Sequence, residues 1–76
     1  MKAILEFNLP EDERAFELAY KGLSIASALW KYDQYLRNEV KYNFELHSED
    51  EISTFRTVRD ELRRNLIEAN VDFVLD

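Results

Sequence analysis

Cysteine is missing altogether from this 76-residue chain, which excludes a disulfide, a thiolate metal site and a thiol nucleophile, and fits a reducing compartment. Glycine and proline occur once each, as Gly22 and Pro10, so no glycine-rich phosphate loop can be built. Histidine also occurs once. His47 has Glu45 and Glu49 nearby but no second histidine at ligand spacing, so it reads as a solvent-facing residue before a helix cap, and neither a metal nor a cofactor is expected. The four serines, Ser24, Ser27, Ser48 and Ser53, fall in or at helices without a neighbouring histidine base. Carboxylates are plentiful but unpaired into a dyad, and a chain this short seldom encloses a cleft, so no enzymatic activity and no catalytic residue is expected. No apolar run approaches the roughly 20 residues that span a bilayer, and Met1-Lys2-Ala3-Ile4-Leu5-Glu6 acquires charge too early for a signal peptide. A protein without a membrane segment is the expectation.

What is present is apolar and acidic. At 46% hydrophobic content with no repeat, linker or low-complexity stretch, residues 1–76 are expected to form one compact domain. Its single small core exceeds the entropy of ordering only narrowly, and self-association is the readiest source of further burial. Sixteen acids face ten bases. The excess resides in two triplets, Glu11-Asp12-Glu13 and Glu49-Asp50-Glu51, each placed where a helix should begin and where carboxylates interact favourably with the helix dipole. Without a basic excess there is little counterion release to drive phosphate contact, which argues against direct nucleic-acid binding.

The periodicities predict an α+β unit: three helices, a short N-terminal strand and a short C-terminal strand, with an all-α three-helix bundle as the alternative. Ala3, Leu5 and Phe7 alternate with polar residues over residues 2–9, as in a half-buried strand. Pro10 opens a first helix that should end at Gly22 in a left-handed cap. Ile25, Ala28, Leu29, Tyr32, Leu36 and Val40 gather on one face of a second helix, flanked by Tyr35 and Tyr42 on one side and Ala26, Trp30 and Phe44 on the other. A helix apolar over most of its girth must be covered by both neighbours or by another copy. Ser48-Glu49-Asp50-Glu51 is a capping box, and Ile52, Phe55, Val58, Leu62, Leu66 and Ala69 carry a third helix to about Asn70. Val71, Phe73 and Val74 would then pair as a strand with the first one.

Charged residues on these helices differ in meaning. Arg56, Asp60, Arg64 and Glu68 form a four-residue ladder of alternating sign on a solvated face. Arg59 falls inside the apolar face instead, where it needs a carboxylate from the second helix or must extend its head to water. Asp33 and Glu39 are the candidates, and Glu39 lies nearer the assumed core face. Trp30 and Arg37 stand two turns apart on one side of the second helix with Asp33 between them, and Trp and Arg are the types most enriched at binding hot spots. Trp30, Asp33 and Arg37 are therefore the candidate partner-binding residues, with coverage of Trp30 inside the chain as the competing reading.

Leu5-Glu6-Phe7-Asn8-Leu9-Pro10-Glu11-Asp12, Ala28-Leu29-Trp30 with Asp33 and Leu36-Arg37, and Val58-Arg59-Asp60-Glu61-Leu62 together give the chain a resemblance to small uncharacterised accessory proteins of tailed bacteriophages and prophages. The resemblance spans most of the chain but assigns no role to any residue. It implies action in the host bacterial cytoplasm, by binding a host or phage protein and inhibiting a defence or regulatory factor. Two other functions are consistent with the residues. One is an oligomer that sequesters a nucleotide signal among Lys31, Tyr35 and Arg37 at subunit interfaces, and the other is a structural homo-oligomer.

Overall fold

Ser48 sets the most sharply defined boundary in the chain. In the computed structural model, which describes residues 1–75, its hydroxyl accepts the Glu51 amide (3.2 Å) while the Glu51 carboxylate accepts the Ser48 amide (3.4 Å). This reciprocal cap starts α3 (Glu49–Glu68), with the second acidic triplet in its first turn. The helix ends in a Schellman motif. Asn70 adopts a left-handed φ of 60°, its amide donates to the Ile67 carbonyl (3.0 Å), and the Val71 amide donates to Leu66 (2.9 Å).

The other helices are α1 (Glu13–Tyr20) and α2 (Gly22–Lys41), and single turns of 3-10 helix occupy Phe44–Leu46 and Asp72–Leu75. Only Lys21 separates α1 from α2. The Lys21 amide bonds to Glu17 and the Ile25 amide to Lys21, so this one residue closes α1 and opens α2. Gly22 has no positive φ and begins α2 instead of capping α1. Tyr35 meets Phe55, and Asp33 meets Arg59 and Arg63. These pairs descend α2 as they ascend α3, so the two helices form an antiparallel hairpin.

There is no strand among the described residues, and the α+β expectation is corrected to its all-α alternative. Residues 1–8 are irregular and mostly exposed, because alternation makes a segment fit for a sheet but a strand needs an edge to pair with. The intended partner is unavailable. The Schellman turn sends residues 71–75 back over α2 and α3, where Asp72–Leu75 coils and Val74 is buried. The arm is held at its end, by Phe7 edge-on against Phe16 of α1 (5.7 Å between ring centres) and by Asn8, whose amide donates to Asp12 Oδ2 (3.0 Å) and whose carbonyl accepts the Asp12 amide (2.8 Å).

Little is enclosed. Among the described residues the buried side chains are Leu36, Leu66, Val74 and one carboxylate, Asp33. Ala26, Leu29, Val40, Ile52, Phe55 and Leu62 are half-buried around them, while Val58 and Ala69 of the expected α3 face are exposed. The radius of gyration is 16.9 Å over a body 51 × 28 × 19 Å, against about 11 Å for a compact domain of this length. The accessible surface is 6545 Å², where the scaling for compact monomers gives about 4,900 Å².

Candidate protein-binding surface

Asp33 sits at the centre of the α2–α3 interface with 0% of its surface exposed. Arg59 grips it with both ends of its fork, Nε donating to Oδ1 (3.0 Å) and Nη2 to Oδ2 (3.4 Å), and Arg63 Nη1 reaches both oxygens (3.3 Å to Oδ2 and 3.5 Å to Oδ1). The need of Arg59 for a carboxylate was legible in the sequence, but the nearer candidate was Glu39 and the observed partner is Asp33. The consequence is rotational. With Asp33 innermost, the buried face of α2 keeps Leu29, Leu36 and Val40 of the expected arc but is turned roughly 50° from its centre, which leaves Ile25 and Tyr32 exposed.

Glu39 serves His47 instead. Nε2 of His47 lies 2.5 Å from Glu39 and Nδ1 lies 3.2 Å from Glu51, so both ring nitrogens face carboxylates and both act as donors only in the charged imidazolium. The hydrogen bond to Glu39 is the main cause that raises the His47 pKa above its ordinary value, and Glu51 adds to it. The same contacts lower Glu39 and Glu51 below the usual carboxylate range. His47 is half-buried against the Phe55 ring (4.9 Å), which corrects its reading as a solvent-facing pre-cap residue. In the expected ladder on α3, Arg64 does bond to Glu68 (2.8 Å), and it also holds Glu61, which the four-residue pattern omitted.

The three candidate contact residues separate into different environments. Trp30 is 42% exposed. Arg37 is half-buried, with its guanidinium 5.5 Å from the centre of the exposed Tyr42 ring. Asp33 is enclosed and fully engaged with Arg59 and Arg63, so in this chain it anchors the helix that displays the other two. Lys31, Tyr35 and Arg37 do not converge within one chain: Arg37 projects about 120° from Lys31 and about 160° from Tyr35 around α2.

The rotation of α2 leaves two apolar rows outside the hairpin. One consists of Leu23, Ala26 and Trp30, at steps of three and four residues. Leu23 and Ala26 join Leu29, Phe73 and Val74 in the wall of a groove of about 540 Å³ lined only by apolar residues, and Trp30 stands one turn beyond it. The other row, across the helix from Trp30, runs through Ile25, Ala28, Tyr32 and Tyr35; Ile25 also borders the first groove, and the edge of Tyr35 reaches Phe55 of α3. Tyr32 and Tyr35 stack in it with ring centres 6.3 Å apart. Its N-terminal half is the floor of a shallow groove of about 430 Å³ formed by Leu18, Ile25 and Ala28 and rimmed by Arg14, Glu17 and Lys21. The sequence reading placed this second row in the core. Its three-four spacing was visible, but spacing alone does not say which of several apolar rows a neighbour covers.

Among the described residues no group of three or more His, Asp or Glu side chains is arranged to hold a metal ion, and no helix is long and apolar enough to cross a membrane. No protein-family model matches the chain, and no curated protein or solved structure matches it either.

Proposed function

We propose that this chain is a non-enzymatic binding protein that engages another protein through the surface around Trp30. The observation that carries the reading is the display of apolar surface on an ordered helix. Among the described residues eighteen large hydrophobic side chains are exposed, and four of them, Met1, Ile4, Leu5 and Leu9, belong to the N-terminal arm. Isolated exposed apolar residues are ordinary, but a row bordering an apolar groove is the kind of patch that marks an interaction site. Trp30 supplies a large, stiff apolar anchor, and the half-buried Arg37 two turns along supplies a charge on the same side. The resemblance to phage accessory proteins extends the proposal to a host or phage partner in the bacterial cytoplasm, with inhibition of a defence or regulatory factor as the outcome.

The test is affinity capture from infected and uninfected bacterial lysates with the full chain and its Trp30→Ala variant, followed by mass spectrometry. A protein retained in comparable amount to the bait, and lost with Trp30→Ala while helical circular dichroism is unchanged, supports the proposal. Retention of nothing, or equal retention by the variant, overturns it.

A further inference from the structure

We infer that the Ile25–Tyr35 row of α2 is the seam of a two-fold homodimer in which the α2 helices of two copies pack antiparallel. This deepens the proposed binding role by adding a partner of known chemistry, a second copy of this chain, on the side of α2 away from Trp30. Three observations support that occupant.

The first is area. The surface exposed in excess of a compact monomer is roughly 1,600 Å², and a standard interface removes about 800 Å² from each partner. One dimer seam accounts for about half of the excess and leaves the Trp30 side and the N-terminal arm free. Among the described residues the buried hydrophobic side chains are Leu36, Leu66 and Val74, so a second copy adds burial that the single chain lacks. A second copy is the one molecule made whenever the chain itself is made.

The second is spacing. Ile25, Ala28, Tyr32 and Tyr35 follow one another at steps of three, four and three residues, the spacing of a coiled-coil seam. Ile25, Tyr32 and Tyr35 are 42%, 48% and 50% exposed.

The third is self-complementarity, which a two-fold interface requires: if residue i meets residue j, then j must meet i. Antiparallel pairing centred on position 30 sets Ile25 against Tyr35 and the small Ala28 against the large Tyr32. The groove over Leu18, Ile25 and Ala28 then receives the tyrosines of the second copy. A parallel pairing would set Tyr32 on Tyr32 and Ala28 on Ala28, large against large and small against small.

The absence of cysteine makes the geometry measurable with single spin labels. Lys31→Cys and Asn38→Cys are both exposed and lie beside the seam. At 1.5 Å rise per residue, the antiparallel pairing offsets the two copies along the axis by about 3 Å at position 31 and about 24 Å at position 38. Light scattering should give twice the 9.1 kDa chain mass, and pulsed electron resonance should give a short inter-label distance at 31 and a long one at 38. Tyr32→Glu, which places a carboxylate in the middle of the seam at a site 48% exposed in the single chain, should weaken the dimer at least about tenfold without unfolding it. A folded monomer at micromolar concentration, or equally short distances at both positions, overturns the inference. Because Trp30 points away from the seam, lysate capture that persists in a monomeric chain would sink the dimer and leave the binding role standing, whereas a dimer of the stated geometry that captures nothing would do the reverse.

Discussion

Replacing Asp33 with alanine removes the one carboxylate at the centre of the α2–α3 interface and leaves Arg59 and Arg63 without it. Breaking a buried ion pair by deleting one partner costs about 3–5 kcal/mol. The two arginines do not contribute equally to that figure. The Arg59 side chain is 21% exposed and donates from two nitrogens at 3.0 and 3.4 Å, whereas Arg63 is 39% exposed and reaches Asp33 from one nitrogen at 3.3 and 3.5 Å. Water can take over the Arg63 head, so its share is that of a surface pair, at most about 1 kcal/mol. The expected loss is therefore near the lower edge of the range, about 3 kcal/mol. A chain of this length is stable by about 4–11 kcal/mol in total, and this one has a thin core, so the variant should stand close to unfolding at room temperature.

The assay is urea denaturation read by far-ultraviolet circular dichroism, at one fixed protein concentration because association contributes to apparent stability. A slope near 1 kcal/mol per molar urea converts the loss into a midpoint shift of about 3 M. The combined variant Asp33→Leu, Arg59→Met, Arg63→Leu should recover most of it, since apolar residues of similar volume replace buried ion clusters at little or no net cost. A loss below about 1 kcal/mol for Asp33→Ala would refute the assignment of Asp33 as the anchor of the hairpin. Failure of the triple variant to recover would place the loss outside the charge cluster.

Two further outcomes follow from local geometry. The raised pKa of His47 means that its ion pairs contribute fully below about pH 6.5 and fade as pH rises through the raised folded-state value, while the lowered Glu39 and Glu51 contribute above about pH 4.3 and fade as pH falls through theirs. Melting temperature should therefore be highest between those limits, and His47→Gln should flatten the alkaline decline; an unchanged decline in that variant removes His47 as its cause. Gly22→Ala should stabilise the chain by about 0.5–1 kcal/mol, because Gly22 has no positive φ and an added Cβ meets nothing within 4 Å; a loss in thermal denaturation would restore the left-handed cap.

Legibility in the sequence tracked how local the determining interaction is. The start of α3 was readable from Ser48 and Glu51 because both halves of the box lie within three residues. Its end near Asn70 was readable for the same reason. Strands were misjudged because alternation at Ala3, Leu5 and Phe7 reports suitability for a sheet, while pairing depends on where the Schellman turn sends residues 71–75. The contact surface was legible in its exposed anchor, Trp30, and in the demand of Arg59 for a carboxylate. Choosing Glu39 over Asp33 followed from assuming that the most apolar arc of α2 faces inward. His47 was misread for a related reason, since its partner Glu39 comes from a different helix eight residues away.

The buried charge cluster and the bare apolar rows are two results of one rotation. Helix α2 is apolar around most of its girth, and α3 with the C-terminal turn can cover only part of it. Turning Ile25 and Tyr32 inward would bury more hydrocarbon, but it would carry Asp33 away from Arg59 and leave a guanidinium in an apolar face, at a cost of several kcal/mol. The cluster thereby selects which rows remain outside. Electrostatics inside the hairpin decides what the outside offers to a partner. The triple apolar variant separates the two effects: freed of the cluster, α2 can roll toward its greasier arc, so fold stability should return while the antiparallel spin-label distances are lost. Stability and distances that both survive would mean that packing, and not Asp33, holds the angle of α2.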